Sequence, residues 1–265
     1  MKQFRLPQSN LAKYHILALH KEEKTMETVI DKFKSLRLIN CALNLPDVLE
    51  QSAQKNLTPL QVIDRLLEIE IENRKKARIA LRFKQSKLEE KPTIDQFDFA
   101  HHESREKQKS RILNLLDLGF IQAKKDIILI GNPGTGKTML SKCIAYAATQ
   151  NGVKTLFITA MDMINQLVAA ENEHTMLKKL QFYQSQELLV CDEIGYLPLG
   201  RQGSNLFFQV ISGRHGKRST IITTNLPFAR WGDIFDGTTV ATAIADRLVY
   251  NSEILIMEGN SYRKR

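Results

Sequence analysis

Cysteine is scarce in this chain. Cys41, Cys143 and Cys191 are the only three in 265 residues, far apart and never in CxxC register. An odd, scattered set excludes a disulfide framework and a thiolate metal site, and reads as reduced thiols in a cytoplasmic protein. Long apolar runs are missing too: "IILIG" and "LLVCDEIGYLPL" fall far short of the roughly 18 residues that span a bilayer, which excludes a spanning helix, and no membrane partner is expected. The opening "MKQFRLPQSNLAKYH" lacks the apolar stretch of a secretory signal. No zinc-finger spacing occurs. No aromatic residues interleave with the basic ones, as stacking on single-stranded nucleic acid requires. Internal repeats and low-complexity tracts are also lacking.

What remains is an ordinary apolar content of 43%, enough for a sizeable core, and a basic surplus of +9. That balance favours polyanion partners. Residues 1–113 hold 22 Lys and Arg against 16 Asp and Glu, and the remainder 16 against 13. The excess therefore lies mostly in the first part.

That part reads as helical. In "TMETVIDKFKSLRL", Met26, Val29, Ile30, Phe33 and Leu36 recur at helical spacing. A second helix opens at "LTPLQ", where Thr58 caps, Pro59 suits the first position and Gln61 completes a capping box. On it Arg74, Arg78 and Arg82 fall four residues apart with Lys75 on the adjacent edge. This basic stripe is opposed by Ala77, Ala80, Leu81 and Leu88 on the expected inward side. Such a stripe suits phosphate tracking, or a solvated face. Pro92 breaks the pattern. The domains expected are a basic arm (1–24), a helical DNA-binding domain (25–88), a linker (89–113) and an α/β domain (114–265). His101 and His102 read as linker surface, because adjacent side chains point apart and no third ligand is evident.

After about residue 113, strands alternate with helices: "DIILI", a helix from Lys137, "KTLFI", "ELLVCDE", a helix around Ser204–Ser212, and "STIITTN". Alternation of this kind implies parallel strands with crossover helices.

Directly after "DIILI" stands "GNPGTGKT". It satisfies GxxxxGK[ST] between a strand and a helix, so its backbone N–H groups can cradle phosphates at the positive end of the helix dipole. The cofactor residues expected are Gly131, Asn132, Pro133, Gly134, Thr135, Gly136, Lys137, Thr138 and Leu140, with ATP as the cofactor. Lys137 would reach the β- and γ-phosphates, and Thr138 would ligate Mg²⁺. "ELLVCDEIGY" ends an apolar strand in two carboxylates. Asp192 would complete the Mg²⁺ shell and Glu193 would polarise the attacking water. "STIITTN" ends in Asn225, whose amide can hold that water or simply turn the chain before Pro227.

Phosphate loop, Asp-Glu strand and strand-terminal Asn, in this order, resemble the AAA+ ATPases. "CDEIGYLPL", "LFFQVISGRHGKRSTIITTNLPFARW", "ADRL" and "GNSYRKR" resemble the IstB family, ATP-binding helper proteins of insertion sequences related to the DnaC helicase loaders. The likeness implies a P-loop AAA+ sheet flanked by helices, with a truncated C-terminal lid and a small all-α N-terminal domain. It also implies that Arg247 acts as an arginine finger on a neighbouring subunit of a homo-oligomer and Arg263 as a sensor arginine of its own site. Arg214 is a second finger candidate. Lys178 and Lys179, a second candidate nucleic-acid-binding patch, lie where initiator-type relatives insert an extra helix. The function implied is an ATPase that assembles on duplex DNA and regulates a transposase. The alternatives are a DnaC-like helicase loader and a nucleotide-gated binding module with negligible turnover. The sequence departs from the family at Asn132, where Pro is common, and at "TTN" where "TSN" is common.

Overall fold

A computed structural model describes residues 24–262. Residues 1–23 of the expected basic arm lie outside that range. The chain separates into two compact units, Met1–Ala77 and Arg78–Arg265.

In the first unit, helix α1 (24–35) sets Met26, Val29, Ile30 and Phe33 against a small core of Cys41, Leu45, Val48 and Leu66. Leu36, expected on the same face, is 68% exposed. It lies past the helix end, in the turn where Arg37 takes a positive φ of 61°. Helix α3 (Pro59–Gln85) opens with the capping box its sequence encodes. Thr58 N–H donates to Gln61 Oε1 at 2.8 Å and Gln61 N–H to Thr58 Oγ1 at 3.4 Å.

Between them lies α2 (Ile39–Lys55), which contains Pro46 and has no side-chain cap at Leu38. Its first turn is capped from a distance. Glu70 on α3, 4% exposed, accepts the N–H groups of Asn40 (2.7 Å) and Cys41 (3.0 Å), and Arg74 Nε donates to it at 2.7 Å. A carboxylate at a helix N-terminus satisfies orphan donors and opposes the dipole. Arg74 also donates to Arg37 O. The expected inward face of α3 is different from the one observed: Ala77, Ala80 and Leu81 are exposed, and the buried residues of α3 are Leu66 and Glu70. Leu88, which is buried, lies beyond the helix end.

The second unit is built on a five-stranded parallel sheet of order β2-β3-β4-β1-β5. Its strands are β1 (Asp126–Gly131), β2 (Thr155–Thr159), β3 (Leu188–Ile194), β4 (Ser219–Thr224) and β5 (Ser252–Met257). Side-chain alternation splits each inner strand between two cores. Leu189 and Cys191 of β3 join the layer of α8 (Ala160–Asn172), α10 (Gly200–Arg214) and α11 (Thr238–Val249). Leu188 and Val190 join the layer of α7 (Lys137–Gln150). Helix α9 (Met176–Gln184) carries Leu180 and Tyr183 into the first layer.

Residues 94–115 form two 3₁₀ turns and helices α4 (Glu103–Lys107) and α5 (Lys109–Leu115), followed by the short α6 (Gly119–Gln122). They line the free edge of β5. Gln108 Nε2 donates to Ile256 O at 2.7 Å and Arg111 Nη2 to Ile254 O at 3.1 Å, while Arg111 pairs with Glu253. At the opposite edge, Phe157 N–H of β2 donates to Ser86 O at 2.8 Å. Among the described residues no helix of four or more residues follows β5.

Glu70 sets a pH dependence. Burial works to raise its pKa, but the Arg74 bond and the N–H groups of Cys41 and Asn40 outweigh this and hold it below the ordinary value. A depressed carboxylate contributes stability above its unfolded pKa of about 4.3, lost as pH falls through the folded value. Glu70→Ala is expected to cost about 2 kcal/mol, since it leaves two N–H groups of α2 uncapped. Urea denaturation at pH 7 measures this, and the gap between parent and variant is expected to close as the pH is taken below 4.

Candidate functional site

The loop after β1 is bent back on itself by two glycines in the left-handed region, Gly134 (φ 81°) and Gly136 (φ 92°). Gly136 is the N-cap of α7, and a Cβ there would lie 2.8 Å from the Phe97 ring. Asn132 and Pro133 are exposed at the tip. Thr135 Oγ1 donates to Asn132 O at 2.9 Å, and Lys137 Nζ donates to Gly131 O (2.7 Å) and Asn132 O (2.8 Å). Leu140 is wholly buried among the core residues of β1 and α7 and does not reach the cleft surface.

The carboxylates arrive from β3. Thr138 Oγ1 on α7 donates to Asp192 Oδ1 at 3.1 Å. The same oxygen accepts from Thr223 Oγ1 of β4, and Thr223 Oγ1 in turn accepts the Glu193 N–H at 2.9 Å. Between Cys191 and Ile194 the register with β4 shifts, and Glu193 takes a φ of 63°. A non-glycine residue in the left-handed region costs of order 1 kcal/mol or more and needs its surroundings to hold it. Here the bulge and the Thr223 hydroxyl do so, turning the Glu193 carboxylate out of the sheet while Asp192 stays 2% exposed.

These elements enclose a cleft of about 180 Å³ lined by Gly134, Lys137, Thr138, Glu193, Thr223 and Tyr262, among others. Asn225 Oδ1 is buried and has no hydrogen-bond partner among the described residues. Tyr262 N–H donates to Gly134 O at 3.0 Å.

The remaining candidates fall elsewhere. Arg247 on α11 is half-buried; its Nη1 donates to Ala243 O at 2.8 Å and its guanidinium lies over the Phe208 ring at 4.5 Å. Arg214 is not a finger. It is 1% exposed and its guanidinium is taken by Tyr183 O, Gln186 O, Ser219 O and Thr220 Oγ1, which ties α10 to β4 and to the chain entering β3. Burial pulls its pKa down to about 10. Arg263 lies outside the described residues.

Lys75 and Arg78 are exposed on α3, while Arg82 Nε donates to Gly152 O at 3.1 Å. Lys178 is exposed on α9, and Lys179 lies over the rings of Phe182 and Tyr183. His102 caps α4 through Ser104 N–H, and His101 Nε2 sits 3.2 Å from Asn260 O. The three cysteines are free and buried. No helix among the described residues is long and apolar enough to cross a membrane.

The family described as IstB-like ATP binding protein matches residues 31–265. The chain belongs to this family. It is 40% identical over 216 residues to the insertion sequence IS5376 ATP-binding protein of Geobacillus stearothermophilus, covering 82% of this chain and 85% of that one. Against the insertion sequence IS21 ATP-binding protein of Pseudomonas aeruginosa the identity is 34% over 228 residues, covering 86% and 85%. Among solved structures the DnaC helicase loader aligns with a TM-score of 0.51 at 24% identity, over 59% of this chain and 91% of that one. AMPPCP-bound DnaA from Aquifex aeolicus aligns at 0.55 and 19% identity, over 67% and 53%. Those two likenesses speak to the fold, which is the P-loop AAA+ α/β fold the motifs implied.

Sequence reading missed Thr223, whose signal is only its place two residues before Asn225. Thr223→Val, nearly isosteric, removes the hydroxyl and leaves the Glu193 N–H without its acceptor. It is expected to cost about 1–2 kcal/mol in urea denaturation, and Thr223→Ser well under that.

Proposed function

We propose that this protein binds ATP with Mg²⁺ and hydrolyses it, assembles as a homo-oligomer on duplex DNA, and regulates the transposase of an insertion sequence. The observation that carries hydrolysis is the hydroxyl–carboxylate chain from Thr138 through Asp192 and Thr223 to the turned-out Glu193. A passive nucleotide store has no use for a strained glutamate at the mouth of a phosphate cleft. Insertion-sequence relatives that match 82% and 86% of this chain support the transposition context. They favour it over a helicase loader, for which the DnaC fold likeness is the support.

In this reading the loop amides and the N-terminus of α7 hold the phosphates. Lys137 exchanges the carbonyls of Gly131 and Asn132 for phosphate oxygens. Thr138 and Asp192, two hard oxygen donors already in hydrogen-bond contact, are the residues that would hold Mg²⁺, which when bound neutralises charge on the phosphate oxygens. Glu193 polarises the attacking water, and the unpartnered Asn225 Oδ1 is the acceptor that orients it. Arg247, with only a carbonyl and a ring as its partners among the described residues, swings to the ATP of a neighbouring subunit.

Lys137→Ala is expected to abolish ATP binding, and Glu193→Gln to keep it while slowing hydrolysis about 100-fold or more. Unchanged turnover in Glu193→Gln removes that residue from the mechanism. Arg247→Ala is expected to lose about 1,000-fold in turnover at near-normal ATP affinity. Mixing it with excess Lys137→Ala, which supplies Arg247 but no bound ATP, partly restores activity if the site is shared; a mixture as inactive as Arg247→Ala alone counts against a finger in trans.

Binding to duplex DNA is expected to be largely independent of sequence, tighter with ATP than ADP, and steeply weakened by salt. Lys75→Glu and Lys178→Glu, one exposed cation in each unit, are each expected to weaken it uniformly across sequences while leaving DNA-free ATPase activity intact. Parental binding by both variants across a salt titration removes these two patches from the DNA interface.

A further inference from the structure

Arg105, on the short helix α4, belongs to none of the sequence motifs, yet it is 3% exposed and sits against the back of the phosphate loop. Its Nη2 donates to Thr135 O at 2.7 Å and its Nη1 to Asp98 O at 2.8 Å, while its guanidinium lies 4.8 Å from the centre of the Phe97 ring. It also explains the glycine that follows: a Cβ on Gly136 would lie 3.0 Å from Arg105 Nη2 and 2.8 Å from Phe97 Cε2.

We propose that Arg105 is a positioning residue for the bound nucleotide, acting through the Thr135–Gly136 peptide. This rests on the reading of the loop as an ATP site. The effect passes through one peptide plane. A phosphate cradle needs its N–H groups turned inward, so its carbonyls must find donors on the outer side. The Thr135 carbonyl finds a guanidinium. A charged donor on a carbonyl polarises the amide it belongs to, and the N–H of that amide is Gly136's, at the N-terminus of α7. Arg105 therefore fixes the orientation of that N–H and strengthens it as a donor to a phosphate oxygen. Asp98 O and the Phe97 ring hold the guanidinium in the plane the loop requires.

The consequence is a split in the kinetics. Glu193 and Asp192 are untouched by Arg105, so its loss weakens nucleotide binding and leaves turnover at saturating ATP near the parental value. In Arg105→Ala the dissociation constant for fluorescent ADP is expected to rise about tenfold or more, as fits the loss of a hydrogen bond to a charged group. Millimolar guanidinium, which refits the vacated site, is expected to recover part of that loss, and a general loss of fold would not respond this way. Arg105→Lys keeps the charge but replaces two rigidly held guanidinium N–H donors with one rotatable ammonium nitrogen, so it carries the test should Arg105→Ala fail to fold. Its affinity is expected to fall between parent and Ala.

Glycine-selective ¹⁵N spectra of the full chain without nucleotide provide a second readout. In Arg105→Lys the Gly136 amide signal is expected to move while that of Gly216 stays. Parental ADP affinity and an unmoved Gly136 signal in a folded Arg105→Lys overturn the proposal. Failure of the parent to bind ADP overturns the ATP reading instead, and the Gly136 signal still decides whether Arg105 braces the loop.

Discussion

One carboxylate oxygen, Asp192 Oδ1, accepts hydrogen bonds from hydroxyls on two different elements, Thr138 at the start of α7 and Thr223 on β4. The site depends on that shared acceptor. It registers the phosphate loop against the strand that carries the acidic pair, although the two are 54 residues apart in sequence. Because Thr223 also accepts the Glu193 N–H, the same chain of bonds sustains the left-handed turn that separates the two neighbouring carboxylates. One is buried with hydroxyl partners; the other is exposed at the cleft. Adjacent residues of one strand thereby acquire different chemistry without any difference in side-chain type.

The parts of this arrangement legible in the sequence are those where chemistry demands a residue type at a fixed local spacing. A phosphate loop needs its glycines and lysine within eight positions, and an acidic pair needs an apolar strand before it. Both were readable, as were the capping box at Thr58 and strands β1 to β4. Legibility ended where a contact joins distant residues. Helix α2 lacks a local cap and contains Pro46, because its cap, Glu70, is supplied from α3. Strand β5 was missed because "SEILIM" is short and takes its pairing from β1, more than a hundred residues away. Arg214 looked like a finger from its place at a helix end, but burial and five oxygen partners make it a tie across the base of the sheet. Arg74, part of the expected basic stripe, is paired with the buried Glu70, a contact that the stripe's spacing does not reveal.

The segment before β1 and the chain after β5 converge on the loop from either side of the sheet's β1–β5 pair. Arg105 meets the Thr135 carbonyl, and Tyr262 meets the carbonyl of Gly134. His101 stacks edge-on against Tyr262 and also reaches Asn260 O. The two flanks are thus joined to each other as well as to the loop.

The same flanking segment leaves its mark on the sheet. Side chains of Gln108 and Arg111 occupy the outward carbonyls of Ile256 and Ile254 on β5, and the backbone of Ser86 takes an outward N–H of β2. An open edge strand is a template on which another chain can grow a continuous sheet. With both margins of this sheet engaged at these positions, lateral strand-by-strand growth is discouraged, so a contact between copies of this chain would have to be made through side-chain faces. A shared sheet, by contrast, would join two chains through backbone hydrogen bonds along a whole strand.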